Sequence, residues 1–209
     1  MRVVGIDGTK DGWVAVELVD GHFMCDYLLR PATNDLRDLR AAAILAVDIP
    51  IGFGPREADG AARAFLTGAA STVFTTPPRD LLSQPFRSGL GVSKQAHALG
   101  PRVIHMTTLA ARDHRIHEAH PEVSFRAMNR GAPLQHRKKS AGGALERLAL
   151  LREHRITLRR LGPAAYAAVD DVLDAAACAW TAHRIATGEA QTLPAAPEVV
   201  DGRAVAIWY

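Results

Sequence analysis

The opening stretch Arg2-Val3-Val4-Gly5-Ile6-Asp7-Gly8 is an apolar, β-branched run that ends on a carboxylate. Residues 2–6 read as a buried strand, and the turn Gly8-Thr9-Lys10-Asp11-Gly12 leaves Asp7 open at its end. Residues 13–19 alternate apolar with small or charged side chains, Asp20-Gly21 is a two-residue turn signal, and residues 22–29 pair back as a third strand. Thr33 or Asn34 is placed to cap a short helix running to residue 40, since either side-chain oxygen can accept a free first-turn amide. Residues 43–48 form another buried strand, stopped by Pro50. The order is strand, strand, strand, helix, strand, with an acid closing the first and the last.

Further along, the pattern is broken. Residues 55–109 hold Pro55, Pro77-Pro78, Pro85, Gly89, Gly91 and Pro101, with helical patches at 56–68 and 94–99. They sustain no apolar period of their own, so the chain is expected to be one domain, residues 1–209, carrying an insertion or lid at about 55–109. Residues 116–125 are expected to be a strand with Glu118, His120 and Glu122 on one face. Residues 141–155 read as an amphipathic helix with Leu145, Leu148, Ala149 and Arg152 spaced by three or four. The alanine-rich residues 164–187 form the strongest helical pattern, closed by Gly188, and 205–208 suit a final strand.

Composition bounds the function. A chain of 209 residues with 48% hydrophobic content builds a sizeable core. The net charge of +3 is mild, but between residues 126 and 160 the bases Arg130, Arg137, Lys138, Lys139, Arg147, Arg152, Arg155, Arg159 and Arg160 face only Glu146 and Glu153. Such a stretch suits an anion, and Lys138 and Lys139 suit phosphate. Aromatic residues make up only 6%, which argues against sequence-specific reading of bases. Cys25 and Cys178 are far apart with no CxxC pair, so neither zinc nor a disulfide framework is expected. No apolar run approaches the roughly 18 residues of a membrane span, and the N-terminus lacks a basic segment followed by an apolar one. A cytoplasmic protein with no membrane partner is expected.

Five acidic positions carry the chemistry: Asp7, Asp48, Glu118 or Glu122, Asp171 and Asp174. Carboxylates gathered from distant segments repel one another unless a cation sits among them, and Mg²⁺ or Mn²⁺ suits an all-oxygen set. Asp7 and Asp48 each end a strand ahead of a glycine-containing turn, where an aspartate also serves as a turn residue. Asp171 and Asp174 lie three apart on one helix face, although Asp170 or Asp171 also suits a first helical turn. His114, His117 and His120 drift around a helix and alternate along a strand, so a zinc site is not expected from them.

These residues resemble a known family. Gly5-Ile6-Asp7-Gly8 through Gly12-Trp13, Val47-Asp48-Ile49-Pro50-Ile51-Gly52, Arg56 through Asp59 to Ala62-Arg63, and Ser71-Thr72-Val73-Phe74 belong to the pattern. So do Glu118 with His120-Pro121-Glu122-Val123-Ser124-Phe125, Lys138-Lys139, and Asp171 through Asp174-Ala175 to Ala179-Trp180-Thr181-Ala182. Together they are similar to DUF429, a family regarded as predicted nucleases of the ribonuclease H-like superfamily.

The resemblance implies an α/β fold, a mixed five-stranded sheet of order 3-2-1-4-5 flanked by helices. It implies Mg²⁺ (or Mn²⁺) bound by Asp7, Asp48, Asp171 and Asp174, with Glu118 or Glu122 joining them according to strand register. The activity would be two-metal hydrolysis of nucleic-acid phosphodiester bonds, with Asp7 as the bridging carboxylate. Lys138 and Lys139 would hold the substrate backbone, and Arg56 and His120 are further candidates for substrate contact. Two other readings share the fold. One is a non-catalytic nucleic-acid or nucleotide-binding protein. The other is an ATP-binding protein related to actin-like ATPases and sugar kinases, suggested by Gly5-Ile6-Asp7-Gly8-Thr9 but lacking a second glycine-rich phosphate loop.

Overall fold

The computed structural model describes residues 1–31, 36–200 and 202–209. The caps expected at Thr33 and Asn34 lie outside the described residues. Three antiparallel strands open the fold: β1 (Arg2–Gly8), β2 (Trp13–Val19) and β3 (His22–Leu29). Between β2 and β3, Asp20 and Gly21 both take positive φ, 49° and 80°, the geometry that matches a tight turn to the strand twist. β4 (Ile44–Val47) then pairs with β1 in parallel, and β5 (Ile116–Glu118) pairs with β4 in parallel. The sheet order is therefore β3-β2-β1-β4-β5, the ribonuclease H-like arrangement.

Between β4 and β5 lie α1 (Glu57–Phe65), α2 (Arg79–Leu82), α3 (Lys94–Ala98) and α4 (Gly100–Ala110). After β5 come α5 (Pro121–Met128), α6 (Ala141–Glu153), α7 (Val169–Thr187) and a hairpin of β6 (Thr192–Val200) and β7 (Arg203–Trp208). Strand alternation divides the core in two. Val3, Val14, Val16, Leu18 and Ala46 face α5, α6 and α7. Val4, Ile6, Trp13, Ala15, Leu45 and Val47 face the other way, where α4 covers them with Val103, Met106 and Ala110. Residues 55–109 thus contribute to the core itself, because α4 packs on this face of the sheet together with Leu36, Leu39 and Leu82. α1 packs instead near the terminal hairpin, through Ala58, Ala62, Leu66 and Ile207.

Two expectations are corrected. The strand expected over residues 116–125 stops at Glu118, because Pro121 begins α5: proline has no amide to give a sheet and its fixed φ suits a first helical position. Glu118 and Glu122 therefore do not share a strand face; one ends a strand and the other lies in a first helical turn. In α6 the buried positions are Gly143, Arg147, Leu150 and Leu151, while Leu145 is 67% exposed. Arg147 rolls the helix this way, since its guanidinium turns inward to Glu122 at 2.6 Å and lies over the Phe125 ring. β6, with Pro194 and Pro197, was not expected; proline is tolerated there because β6 pairs on one side only.

β1 meets α7 without a side chain between them. A Cβ built on Gly5 would lie 2.0 Å from the Ala179 amide nitrogen and 2.2 Å from the Ala175 carbonyl oxygen. Both are backbone atoms, so neither can swing aside. We predict that Gly5→Ala destabilises the fold by about 3 kcal/mol or more, lowering Tm by roughly 6–12 °C. Gly60→Ala, in α1 with nothing within 4 Å, should be neutral or stabilising by up to about 1 kcal/mol. Thermal denaturation followed by circular dichroism checks both, and a Gly5→Ala protein as stable as the parent would contradict the packing argument.

Candidate metal centre

Alternation along β1 sends Val3, Gly5 and Asp7 to the α7 face of the sheet. On the neighbouring strand Ala46 points the same way, and Asp48 follows two residues later. The register pairs Ile6 with Val47, and the Asp48 amide donates to the Ile6 carbonyl at 2.9 Å, so Asp48 stands beside Asp7. Asp174 comes from α7, immediately before the Ala175 that touches Gly5. One oxygen from each of Asp7, Asp48 and Asp174 lies within 4.8 Å of the others.

Asp7 and Asp174 are buried, at 7% and 1% exposure, and Asp48 is half-buried. Asp7 Oδ1 accepts a hydrogen bond from the Gly8 amide at 2.7 Å. Lys138 Nζ donates to Asp174 Oδ2 at 2.8 Å, whereas buried Asp174 Oδ1 has no partner among the described residues. Burial pushes all three carboxyls up. Asp7 rises well above the ordinary range through desolvation and then through Asp48, Asp174 and Asp171. Desolvation lifts Asp48 to about 6 and Asp174 to about 7, each against the pull of Lys138. Desolvation opposes the Lys138 charge, but Asp174, Asp48 and Asp7 outweigh it and hold the ammonium above the usual lysine range.

One ammonium cannot offset three carboxylates. Without a further cation the site stays folded by taking up protons; with a divalent one it can ionise. An all-oxygen donor set, one buried oxygen without a hydrogen-bond partner, and carboxyls whose pKa values are raised toward neutrality together fit Mg²⁺ or Mn²⁺.

The other expected residues surround this centre in different ways. Asp171, half-buried one turn before Asp174, is raised by desolvation and by Asp170. Lys139 reaches Asp170 at 3.8 Å. Glu118 is held by Arg56, with Nη1 to Oε2 at 2.5 Å and Nη2 to Oε1 at 2.9 Å, and also accepts the Ile51 amide at 2.7 Å. Arg56 is buried and also grips Asp59, which in turn accepts the Thr76 amide. This network ties α1 to β5 and to the loop carrying Asp48. Glu122 has its own arginine in Arg147. His120 places Nε2 3.3 Å from the Thr72 carbonyl; with the proton there, the buried Nδ1 is a bare acceptor with no partner among the described residues. Burial lowers its basicity, partly offset by that carbonyl.

Arg56, Asp59, Glu118, His120 and Glu122 line one cavity of about 340 Å³ with Lys138 and the three aspartates, whereas Asp171 and Lys139 do not line it. It also receives Trp13 and Ser71 to Phe74, which belong to the family pattern but carry no assigned role there, and Gln95 and Arg102, which the sequence does not single out. Arg102, from α4, lies over the Trp13 ring at 5.2 Å and bonds the carbonyls of Thr9 and Lys10, contacts that fix its charge without neutralising it.

Fold and site define an α/β protein whose strand ends and central helix gather carboxylates suited to a divalent cation. The chain belongs to the DUF429 family: the family model described as "Protein of unknown function (DUF429)" matches residues 5–199. No curated protein and no solved structure matches the chain. Among the described residues no helix is long and apolar enough to cross a membrane.

The raised carboxyl pKa values set a pH dependence. An unfolded aspartate titrates near 3.9, so between that value and about 7 the folded, metal-free protein binds more protons than the unfolded chain. The stabilisation from this difference is present below about pH 4 and lost as pH rises through 6 and 7. We predict that, in chelator, Tm falls between pH 5 and pH 8, that millimolar Mn²⁺ restores it most at pH 8, and that Asp174→Asn flattens the slope. A chelated Tm independent of pH over this range would contradict the assignment.

Proposed function

We propose that this protein is a metal-dependent nuclease of the ribonuclease H-like superfamily, hydrolysing phosphodiester bonds in nucleic acid. The observation that carries the reading is the convergence of Asp7, Asp48 and Asp174 within 4.8 Å from two adjacent parallel strand ends and one helix of a 3-2-1-4-5 sheet. Asp7, Asp48 and Asp174 would hold the first Mg²⁺ or Mn²⁺, and Asp171 is the carboxylate left for a second. Bound there, the metal would lower the pKa of a coordinated water and offset charge building on the phosphate.

The remaining chemistry belongs to the chain. Lys138, anchored on Asp174, sets a fixed positive charge at the floor of the cavity, and Arg102 sets another on its α4 side. Both suit the non-bridging oxygens of a phosphodiester, with exposed Lys139 following the strand outward. Neutral His120, its Nε2 facing the Thr72 carbonyl, lines the cavity beside Glu118 and Glu122. Arg56 serves from beneath, holding Glu118 against the Ile51 amide and so fixing the loop that carries Asp48.

Purified protein with Mg²⁺ or Mn²⁺ is predicted to cleave labelled DNA or RNA and to lose this activity in chelator. Asp7→Asn should lower kcat more than about a hundredfold, beyond the 10–100-fold typical of losing an outer-sphere partner. No cleavage of single-stranded, duplex or branched DNA or RNA with either metal would contradict the proposal.

A further inference from the structure

The cavity above the aspartates is walled on both sides by residues 55–109. Ser71 to Phe74, at and just beyond the short 3-10 turn Ala70–Thr72, form one wall; Gln95, Leu99 and Arg102 of the α3–α4 segment form the other. The carboxylates at the floor are shielded from solvent, with Asp174 at 1% and Asp7 at 7% exposure. A volume of about 340 Å³ lies at the small end of the roughly 300–1,000 Å³ typical of ligand pockets.

The reacting phosphate must therefore enter between two walls, accompanied by its own sugar and base. In a duplex that base is paired and stacked, and bringing one nucleotide into such a pocket requires extruding it. A single strand bears no pairing cost. The walls also present what an unpaired base needs: Phe74, half-buried, and Leu99 offer apolar surface, and Arg102 supplies charge near the floor. An aromatic face accepts any base, so this arrangement selects strandedness rather than sequence.

Resting on the nuclease reading, we infer that the substrate is single-stranded nucleic acid, taken one unpaired nucleotide at a time into the cavity, with the base against Phe74 and the phosphate toward Asp7, Asp48 and Asp174. Phe74 is a specificity-determining residue that acts by stacking.

The test uses the full chain with Mn²⁺ and one labelled oligonucleotide presented three ways: single-stranded, fully annealed, and annealed with a short single-stranded overhang, in DNA and RNA versions. The single strand should be cleaved at least about a hundredfold faster than the duplex, and the third substrate should be cut within its overhang. Phe74→Ala should raise KM roughly tenfold with kcat little changed, Phe74→Tyr should retain the parental KM, and Phe74→Leu, which keeps bulk but loses the ring, should behave like alanine. Duplex or branched DNA cleaved as fast as the single strand would overturn this inference while leaving the nuclease reading intact. Parental KM in Phe74→Leu would overturn the stacking role. Absence of cleavage on every substrate would overturn both.

Discussion

The close approach of β1 to α7 at Gly5 is the constraint on which the site depends. With no side chain at that point, the helix backbone lies directly on the central strand, and Ala175 and Ala179 meet Gly5 through main-chain atoms. That contact fixes the height of α7 along the strand. Asp174, one residue before Ala175, is then delivered to the same end of the sheet as Asp7 and Asp48. The run of small residues Ala175, Ala176, Ala177 and Ala179 is the helix side of the same arrangement. Packing and chemistry are therefore set by one contact.

The electrostatics follow from that geometry. Three carboxylates brought together out of solvent oppose folding when ionised, and one lysine offsets only part of their charge. Neighbouring acids of the same cavity are arranged differently. Glu118 and Asp59 share Arg56, and Glu122 has Arg147, so those carboxylates have cationic partners within the chain. The trio at the strand ends, sharing one lysine, is left short of positive charge, which distinguishes a place for a cation from a structural ion-pair network.

Much of this was legible in the sequence because it is local. The alternation of residues 13–19, the Asp20-Gly21 turn and the apolar run before Asp7 specify three strands by side-chain period alone, and Gly188 marks the end of α7. Asp7, Asp48 and Asp174 stood out because each is an acid in an otherwise apolar element. The place of Glu122 is not legible because residues 116–125 carry the alternating polarity of a strand, and only Pro121 followed by an acid marks a helix start. The buried face of α6 departs from the apolar stripe through Leu145 because the inward pull of Glu122 on Arg147 is a tertiary effect. Gln95 and Arg102 are illegible for a similar reason: residues 55–109 are made of short helices with many prolines and glycines, and what brings Arg102 to the site is packing of α4 on the far face of the sheet.

The central claim is that Asp7, Asp48 and Asp174 form a binding site for a divalent cation. Anomalous diffraction at the manganese edge from crystals grown with Mn²⁺ tests it most directly. A strong anomalous peak bonded to oxygens of all three aspartates is expected, with Asp174 Oδ1 among the ligands. Crystals that show no manganese there, with the carboxyls instead paired through shared protons or turned apart, would contradict it.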